Sequence, residues 1–213
     1  MVLVMQPITA ESAPQPARRR RMSGRARREQ LLDVTAELVA GRGFHQLSVE
    51  SIAGQAGITR AVVYQQFGDL GTLLHAVIER ETSRALAEVS ETTLSDLGVG
   101  EPIELMLESL RAYLQAVREH PARWRLVLMP PEGAPEELHA KIAAGRARIL
   151  AQMTRAVRPA VERHRGSPDV ELTARVLSAI SDEYARLVLS DPDAHPIDRL
   201  MRHARWWLQD ARW

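Results

Sequence analysis

Side chains that can contact nucleic acid are concentrated between residues 48 and 67. The guanidinium of Arg60 can form a bidentate pair with guanine O6 and N7, and the amide of Gln65 or Gln66 can pair with adenine by similar geometry. For Gln66, the alternative is a solvated surface position, and for Tyr64 it is a packed ring with an exposed hydroxyl. The segment also offers small apolar groups for a thymine methyl and hydroxyls for phosphate: Ala61, Val62, Ser48, Thr59 and Tyr64.

To reach a groove, these side chains must lie on a short helix that projects from the rest of the protein. Ser48 is a good N-cap for a first helix and Thr59 for a second. Gly57, between them, accepts the left-handed backbone of a sharp turn. Val63 and Phe67 share one face of the second helix, which leaves the other face free to enter a groove that is about 8.5 Å deep. The segment therefore predicts a helix-turn-helix.

An arginine-rich stretch precedes this segment. Residues 1–17 contain three prolines and no apolar periodicity, which predicts a disordered arm over residues 1–24. Seven arginines follow within eleven residues: Arg18, Arg19, Arg20, Arg21, Arg25, Arg27 and Arg28. They suit either a solvated tail or an arm that binds nucleic acid. Residues 1–67 hold nine arginines and five acidic residues, whereas the whole chain has a net charge of +1, so the basic excess lies where DNA contact is predicted.

Apolar residues recur at helical spacing along the rest of the chain, and no alternating strand pattern occurs. The chain has 213 residues, 45% hydrophobic and 26% charged, which is ordinary for a globular protein with a real core. We predict an all-α fold of about nine helices. A three-helix DNA-binding domain is expected at residues 25–85, with its motif at 48–67, and a second helical domain at 86–213.

Several other functions find no support in the sequence. Cysteine is absent, which excludes thiolate metal sites and a cysteine nucleophile. The motifs Gly-x-Ser-x-Gly, His-Glu-x-x-His and Gly-x-Gly-x-x-Gly are missing, and the seven histidines are scattered. No apolar run approaches the ~18 residues of a membrane helix. We expect a cytoplasmic protein that is not an enzyme, with no metal or other cofactor and no membrane partner.

A series of short motifs runs in register through residues 25–85: Gly43-Phe44, Ile52-Ala53, Ala56-Gly57-Ile58, Tyr64-x-x-Phe67 and Leu73-Leu74. In this series the chain resembles the TetR family of transcriptional regulators. The resemblance implies a homodimer that binds double-stranded DNA, most often a repressor, and that is released by a small molecule. Two positions depart from the family pattern. Leu70, followed by Gly71, stands where a phosphate-binding lysine is frequent, and Val62 stands where Thr or Ser often contacts DNA.

The resemblance places the effector pocket and the dimer interface in the second half of the chain. An apolar, methionine-rich set of pocket candidates suits an adaptable cavity for a largely apolar effector: Met106, Leu110, Tyr113, Trp124, Leu128, Met129, Ile149 and Met153. Interface candidates lie on the last two helices: Val176, Ile180, Tyr184, Trp206 and Trp207. Two adjacent tryptophans cannot both face one core, so an interface position for one of them is economical. Plain core packing is the alternative for both sets.

Three functions are therefore weighed. The first is a ligand-responsive, homodimeric DNA-binding regulator. The second is a helical small-molecule-binding or scaffold protein that has lost operator binding, as the departures at Val62, Leu70 and Gly71 suggest. The third is an enzyme that uses the apolar cavity.

Overall fold

The computed structural model describes residues 22–93, 101–162 and 169–210. In these ranges the chain forms nine α-helices and no strand, which confirms the all-α prediction. The helices are α1 (Gly24–Arg42), α2 (Val49–Ala56), α3 (Arg60–Phe67), α4 (Leu70–Thr92), α5 (Pro102–Glu119), α6 (Pro121–Leu128), α7 (Glu136–Glu162), α8 (Val170–Ser190) and α9 (Ile197–Asp210). A short 3₁₀ turn, Phe44–Gln46, which the sequence patterns did not indicate, follows α1. Residues 1–21 of the predicted arm 1–24 lie outside the described residues. The end of the arm was predicted wrongly, because the Ser23 side chain caps α1 and Gly24 begins it.

The first four helices enclose the N-terminal core. Helix α1 buries one face, which carries residues at helical spacing: Leu31, Leu32, Thr35, Leu38 and Val39. It packs on Ile52 of α2, Val63 and Phe67 of α3, and Leu73 and Val77 of α4. Burying one such aliphatic side chain contributes about 1.5–3 kcal/mol, so this small core is enough to hold the short helices α2 and α3 in place.

Helix α4 belongs to both halves of the molecule. Its first turns complete the N-terminal core, while Ala85 and Val89 pack in the core formed by α5, α6, α8 and α9. The domain boundary predicted near residue 85 falls inside this continuous helix. A rigid element therefore connects the helix-turn-helix with the interior of the C-terminal half.

A buried ion network joins α1, α4 and α6. The Arg123 Nε donates to Glu81 Oε2 at 2.9 Å, and its guanidinium also binds Glu88. On the other side, Arg80 Nη2 lies 2.7 Å from Glu81 Oε1. The α1 partners of Arg80 are Glu29 at 3.0 Å and Asp33 at 2.8 Å. Only 4% of the Glu81 side chain and 10% of the Arg123 side chain are exposed, so each buried charge depends on the others for compensation.

Candidate nucleic-acid interface and effector cavity

Helices α2 and α3 form the predicted helix-turn-helix. Ser48 begins α2 with a capping box, in which its hydroxyl accepts from the Ser51 amide and the Ser51 hydroxyl accepts from the Ser48 amide, each at 3.1 Å. Gly57 ends α2 in the left-handed region, with φ 65° and ψ 37°. This conformation is costly for residues that carry a Cβ atom, which explains the glycine in the turn.

Two side chains of α1 hold the ends of these helices. The Gln30 amide donates to the carbonyl of Ala56, the last residue of α2, at 3.2 Å. The guanidinium of Arg28 donates to the carbonyl of Gln66 at 2.9 Å and lies 4.1 Å from the centre of the Phe67 ring. A cation at a helix C-terminus and over an aromatic face is favourable on both counts. Arg28 is therefore a positioning residue for α3, a role that the charge pattern of the sequence did not distinguish from DNA contact.

One face of α3 is free for contact. Arg60, Ala61, Tyr64 and Gln65 are exposed, and the side chain of Val62 is half-buried. Tyr64 has 50% of its surface exposed, which favours the predicted phosphate contact over a packed ring. Gln66 is half-buried, and its backbone carbonyl accepts a hydrogen bond from Arg28. The structure thus brings the predicted base-reading residues to one outward surface, whereas their DNA contacts remain predictions.

In the free protein, Arg60 is paired with Glu50 of α2. Arg60 Nη1 lies 2.6 Å from Glu50 Oε1, and both side chains are largely exposed. Their hydrogen bond is the main cause that raises the pKa of Arg60 and lowers the pKa of Glu50. Exposed ion pairs of this kind are weak, so Arg60 can exchange Glu50 for a base or a phosphate at small cost.

The remaining residues predicted to contact DNA are the arginines before or at the start of α1, Ser48 and Thr59. Arg25 is exposed at the start of α1, whereas Arg18, Arg19, Arg20 and Arg21 lie outside the described residues. The hydroxyl of Ser48 is already engaged in capping α2. Thr59 is the N-cap residue of α3, but its side chain makes no capping hydrogen bond, contrary to the expected capping role. Its exposed hydroxyl can therefore be directed to phosphate.

Helix α4 begins at Leu70, the position where a phosphate-binding lysine is frequent in the TetR family. Asp69 caps the helix by accepting from the Thr72 amide at 2.7 Å. Leu70 is half-buried against the N-terminal core and offers no charge to a DNA backbone. At the start of α4, any contact with the phosphate backbone of DNA therefore depends on exposed polar groups.

Two adjoining cavities lie inside the C-terminal half. The larger of the two, the α9 cavity, has a volume of about 110 Å³ and is lined by side chains of α4, α5, α7, α8 and α9. The smaller one, the α6 cavity, has a volume of about 70 Å³ and is bounded by α6 on one side. They share a wall made of Val89, Tyr113, Ile149, Ser178 and Asp182. Because α4 supplies Val89 to this wall, the helix that supports α3 also lines both cavities.

Most of the predicted pocket residues line these cavities. Met106, Leu110 and Met153 face the α9 cavity, Trp124 and Leu128 face the α6 cavity, and Tyr113 and Ile149 face both. Met129 lines neither cavity and is 42% exposed. Helix α6 ends at Leu128, so the next side chain leaves the helical face that points inwards.

The predicted interface residues separate into an outer and an inner group. Val176 and Trp206 are 49% and 61% exposed, and Leu172 lies one turn before Val176. Tyr184 is buried, with its hydroxyl 2.6 Å from His203 Nδ1. The inner residues Ile180, Tyr184 and Trp207 line the α9 cavity. Tyr184 is buried and Ile180 and Trp207 are half-buried, and the interface role of these three residues stays a prediction.

Asp182 is the polar cavity residue that the sequence did not reveal. Asp182 and Glu183 both lie at the spacing of a helix ion pair with Arg186, and Glu183 makes that pair at 2.9 Å. Asp182 instead turns inwards, where Tyr113 donates to its Oδ1 at 3.3 Å. Burial raises the pKa of the Asp182 carboxyl. The signal was present in the helical spacing, because Asp182 falls one turn after Ser178 and three residues before the buried Ala185.

The described ranges contain neither a helix long and apolar enough to span a bilayer nor a group of three or more side chains suited to bind a metal ion. The fold and the exposed face of α3 define the class of this chain as a helix-turn-helix protein.

Comparison with known proteins gives the family. Residues 31–77 match the family model described as "Bacterial regulatory proteins, tetR family". Residues 106–201 match the family model described as "Tetracyclin repressor-like, C-terminal domain". The two ranges cover the helix-turn-helix and most of the C-terminal half. The chain belongs to the TetR family.

Individual relatives agree with this assignment. An uncharacterized HTH-type transcriptional regulator of Mycobacterium tuberculosis is 31% identical over 130 residues, which are 60% of this chain and 59% of that protein. Another from the same species is 32% identical over 127 residues, 60% of this chain and 51% of that protein. The match thus spans less than two thirds of the length of either relative. A TetR-like transcriptional regulator from Rhodococcus sp. RHA1 shares the fold, with a TM-score of 0.66, 24% identity, and coverage of 89% of this chain and 99% of that chain.

Proposed function

We propose that this chain is a sequence-specific DNA-binding transcriptional regulator, a repressor that acts as a homodimer and is released by a small molecule. The observation that carries this proposal is the outward face of α3. Val63 and Phe67 anchor the helix in the core, while Arg60, Tyr64 and Gln65 stand exposed on the other side. A short, well-supported helix with a polar outer face fits the major groove.

The outer faces of α8 and α9 support dimerisation. Three of the exposed large apolar side chains of the described residues lie there, Leu172, Val176 and Trp206. A two-fold dimer built on this face would present two α3 helices to half-sites about 34–36 Å apart, as a pseudo-palindromic operator requires.

Helix α4 supplies the physical link between effector and DNA. Leu73 and Val77 pack against the helix-turn-helix, and Leu86 and Val89 line the cavities roughly two and a half to four and a half turns later. A ligand that displaces the cavity end of α4 changes the position of α3. Release follows when the ligand favours a dimer geometry in which the two α3 helices no longer match the half-site spacing.

A second candidate, a helical ligand-binding or scaffold protein without operator binding, is favoured by one observation. Leu70 is packed against the core where many family members place a phosphate-binding lysine. The two functions differ in whether the protein binds the DNA upstream of its own gene.

We expect tight binding to that DNA in a band-shift titration, with steep weakening by salt. Each neutralised phosphate contributes a slope of about −0.9 to a plot of log affinity against log salt concentration, so a slope of about −3.6 or steeper is expected for four or more contacts. An unrelated duplex of equal length is the control. Failure to bind any DNA next to the gene would favour the second candidate.

An Arg60→Ala variant is expected to bind the operator about 10- to 100-fold more weakly and to lose discrimination at one base position. A Glu50→Gln variant is expected to bind more tightly, because it frees Arg60 and removes an anion near the DNA. Both effects are measured by titrating operators with single-base changes. Arg158→Ala, on the distant helix α7, is the control and should leave affinity unchanged. An equal loss with Arg60→Ala on every sequence would show that Arg60 contacts phosphate.

A further inference from the structure

The charge of the α9 cavity restricts the ligand that it can hold. Among the described residues that line this cavity, Asp182 is the only one with a charged side chain. The other lining groups are aliphatic side chains, three aromatic rings and several hydroxyls. Only 23% of the Asp182 side chain is exposed, so a neutral or anionic ligand there leaves a largely desolvated carboxylate without a new partner, which is unfavourable.

No protein cation is in hydrogen-bonding contact with this carboxylate in the part of the chain that the structure describes. Tyr113 donates to Oδ1 at 3.3 Å. Arg146 Nη2 forms a long ion pair with Oδ2 at 3.9 Å, a distance greater than that of a hydrogen bond. Arg146 has half of its side chain exposed, and Arg186 is turned to Glu183. An ionised carboxylate can accept about four hydrogen bonds, so Asp182 retains capacity for a donor that enters the cavity.

The aromatic side chains beside Asp182 suit the same kind of ligand. Tyr113, Tyr184 and Trp207 all line the α9 cavity. Aromatic faces attract organic cations, and the attraction grows when the cation is shielded from water. Tyr113 is also fixed in orientation by an edge contact with Trp124, with ring centres 5.1 Å apart.

The volume sets the size of the ligand. An atom group the size of a water molecule needs about 10–15 Å³ of cavity volume. The α9 cavity, at about 110 Å³, therefore holds a ligand of roughly seven to eleven non-hydrogen atoms. The adjoining α6 cavity can take a longer apolar tail.

We propose that the α9 cavity binds a small organic cation, an ammonium group carrying an apolar chain or ring, with the ammonium placed against Asp182 and the aromatic rings. This inference names the ligand class for the effector cavity and rests on the proposed function for its regulatory consequence. Binding itself needs no DNA, so it is tested separately.

The test compares three probes of nearly equal size, hexylammonium, 1-hexanol and hexanoate, by isothermal titration calorimetry on the full chain without DNA. We expect hexylammonium to bind at least about tenfold more tightly than 1-hexanol. In an Asp182→Asn variant this preference should disappear while 1-hexanol binding is unchanged. The control is Glu183→Gln, which removes the neighbouring exposed carboxylate and should keep the preference.

Two results would overturn the proposal. One is equal binding of hexylammonium and 1-hexanol by the native chain, which decides the matter even if Asp182→Asn does not fold. The other is a preference for hexanoate, which would assign the ligand to Arg146 and Lys141 at the α6 cavity. A band shift with the native chain then reports on regulation. A chain that binds hexylammonium but no DNA would sustain the cavity assignment and contradict the proposed function.

Discussion

An Arg123→Met variant is expected to lose about 3 kcal/mol of its free energy of unfolding. Removing one partner of a buried ion pair costs about 3–5 kcal/mol, because the remaining charge stays buried without compensation. Here Glu81 and Glu88 both lose their bond to Arg123. The low end of the range applies, since Glu81 keeps its contact with Arg80 and Glu88 keeps the bond donated by Trp124 Nε1 at 3.1 Å.

Urea unfolding at fixed protein concentration measures this loss, and the midpoint should fall while the slope stays the same. Arg158→Met is the matched control. Arg158 pairs with Glu162 at 3.2 Å on the surface of α7, and its replacement should change stability by less than about 0.5 kcal/mol. Similar losses for the two variants would mean that the network joining α1, α4 and α6 adds nothing beyond an ordinary surface pair.

Replacing both Val176 and Trp206 with glutamate is expected to give a folded monomer with operator affinity at least about 100-fold lower. Each subunit pair would place four carboxylates in an apolar contact, which opposes association. Loss of the second α3 removes the gain from simultaneous engagement of two half-sites, which is commonly 10²- to 10⁴-fold. Sedimentation velocity measures the mass, and a band shift measures the affinity.

Met129→Glu provides the control for this prediction. Met129 is also an exposed apolar side chain, but it follows α6, away from Val176 and Trp206 in the chain. The variant should remain dimeric and bind DNA normally. If the Val176 and Trp206 double variant stays a dimer, the outer face of α8 and α9 is not the interface, and the proposed arrangement of the two α3 helices is wrong.

Local features of the N-terminal half could be predicted from sequence because they depend on neighbouring residues. Ser48 and Asp69 cap helices through amides three residues away, and Gly57 permits a turn that few other residues tolerate. The spacing of Val63 and Phe67 fixes which face of α3 turns inwards, and thereby the exposure of Arg60 and Tyr64.

The roles of charged residues were harder to predict. Arg28 lies within the arginine-rich stretch, yet it caps α3, which is 38 residues away in the chain. Asp182 has the spacing of a helix ion pair, yet it lines a cavity. A charged side chain has several partners of similar energy along its own helix, so only packing between helices decides among them.

The sequence by itself determined the helical fold, the capped turn and the outward face of α3, because backbone conformation and helical periodicity operate over a few residues. Only the tertiary structure decided that Tyr184 and Trp207 line a cavity while Val176 and Trp206 face outwards. It also decided that Asp33, Arg80, Glu81 and Arg123 form one network across the three helices α1, α4 and α6. The cost of desolvation determines both which side chains face inwards and which buried charges pair. The burial that causes this cost depends on how helices distant in the chain pack together.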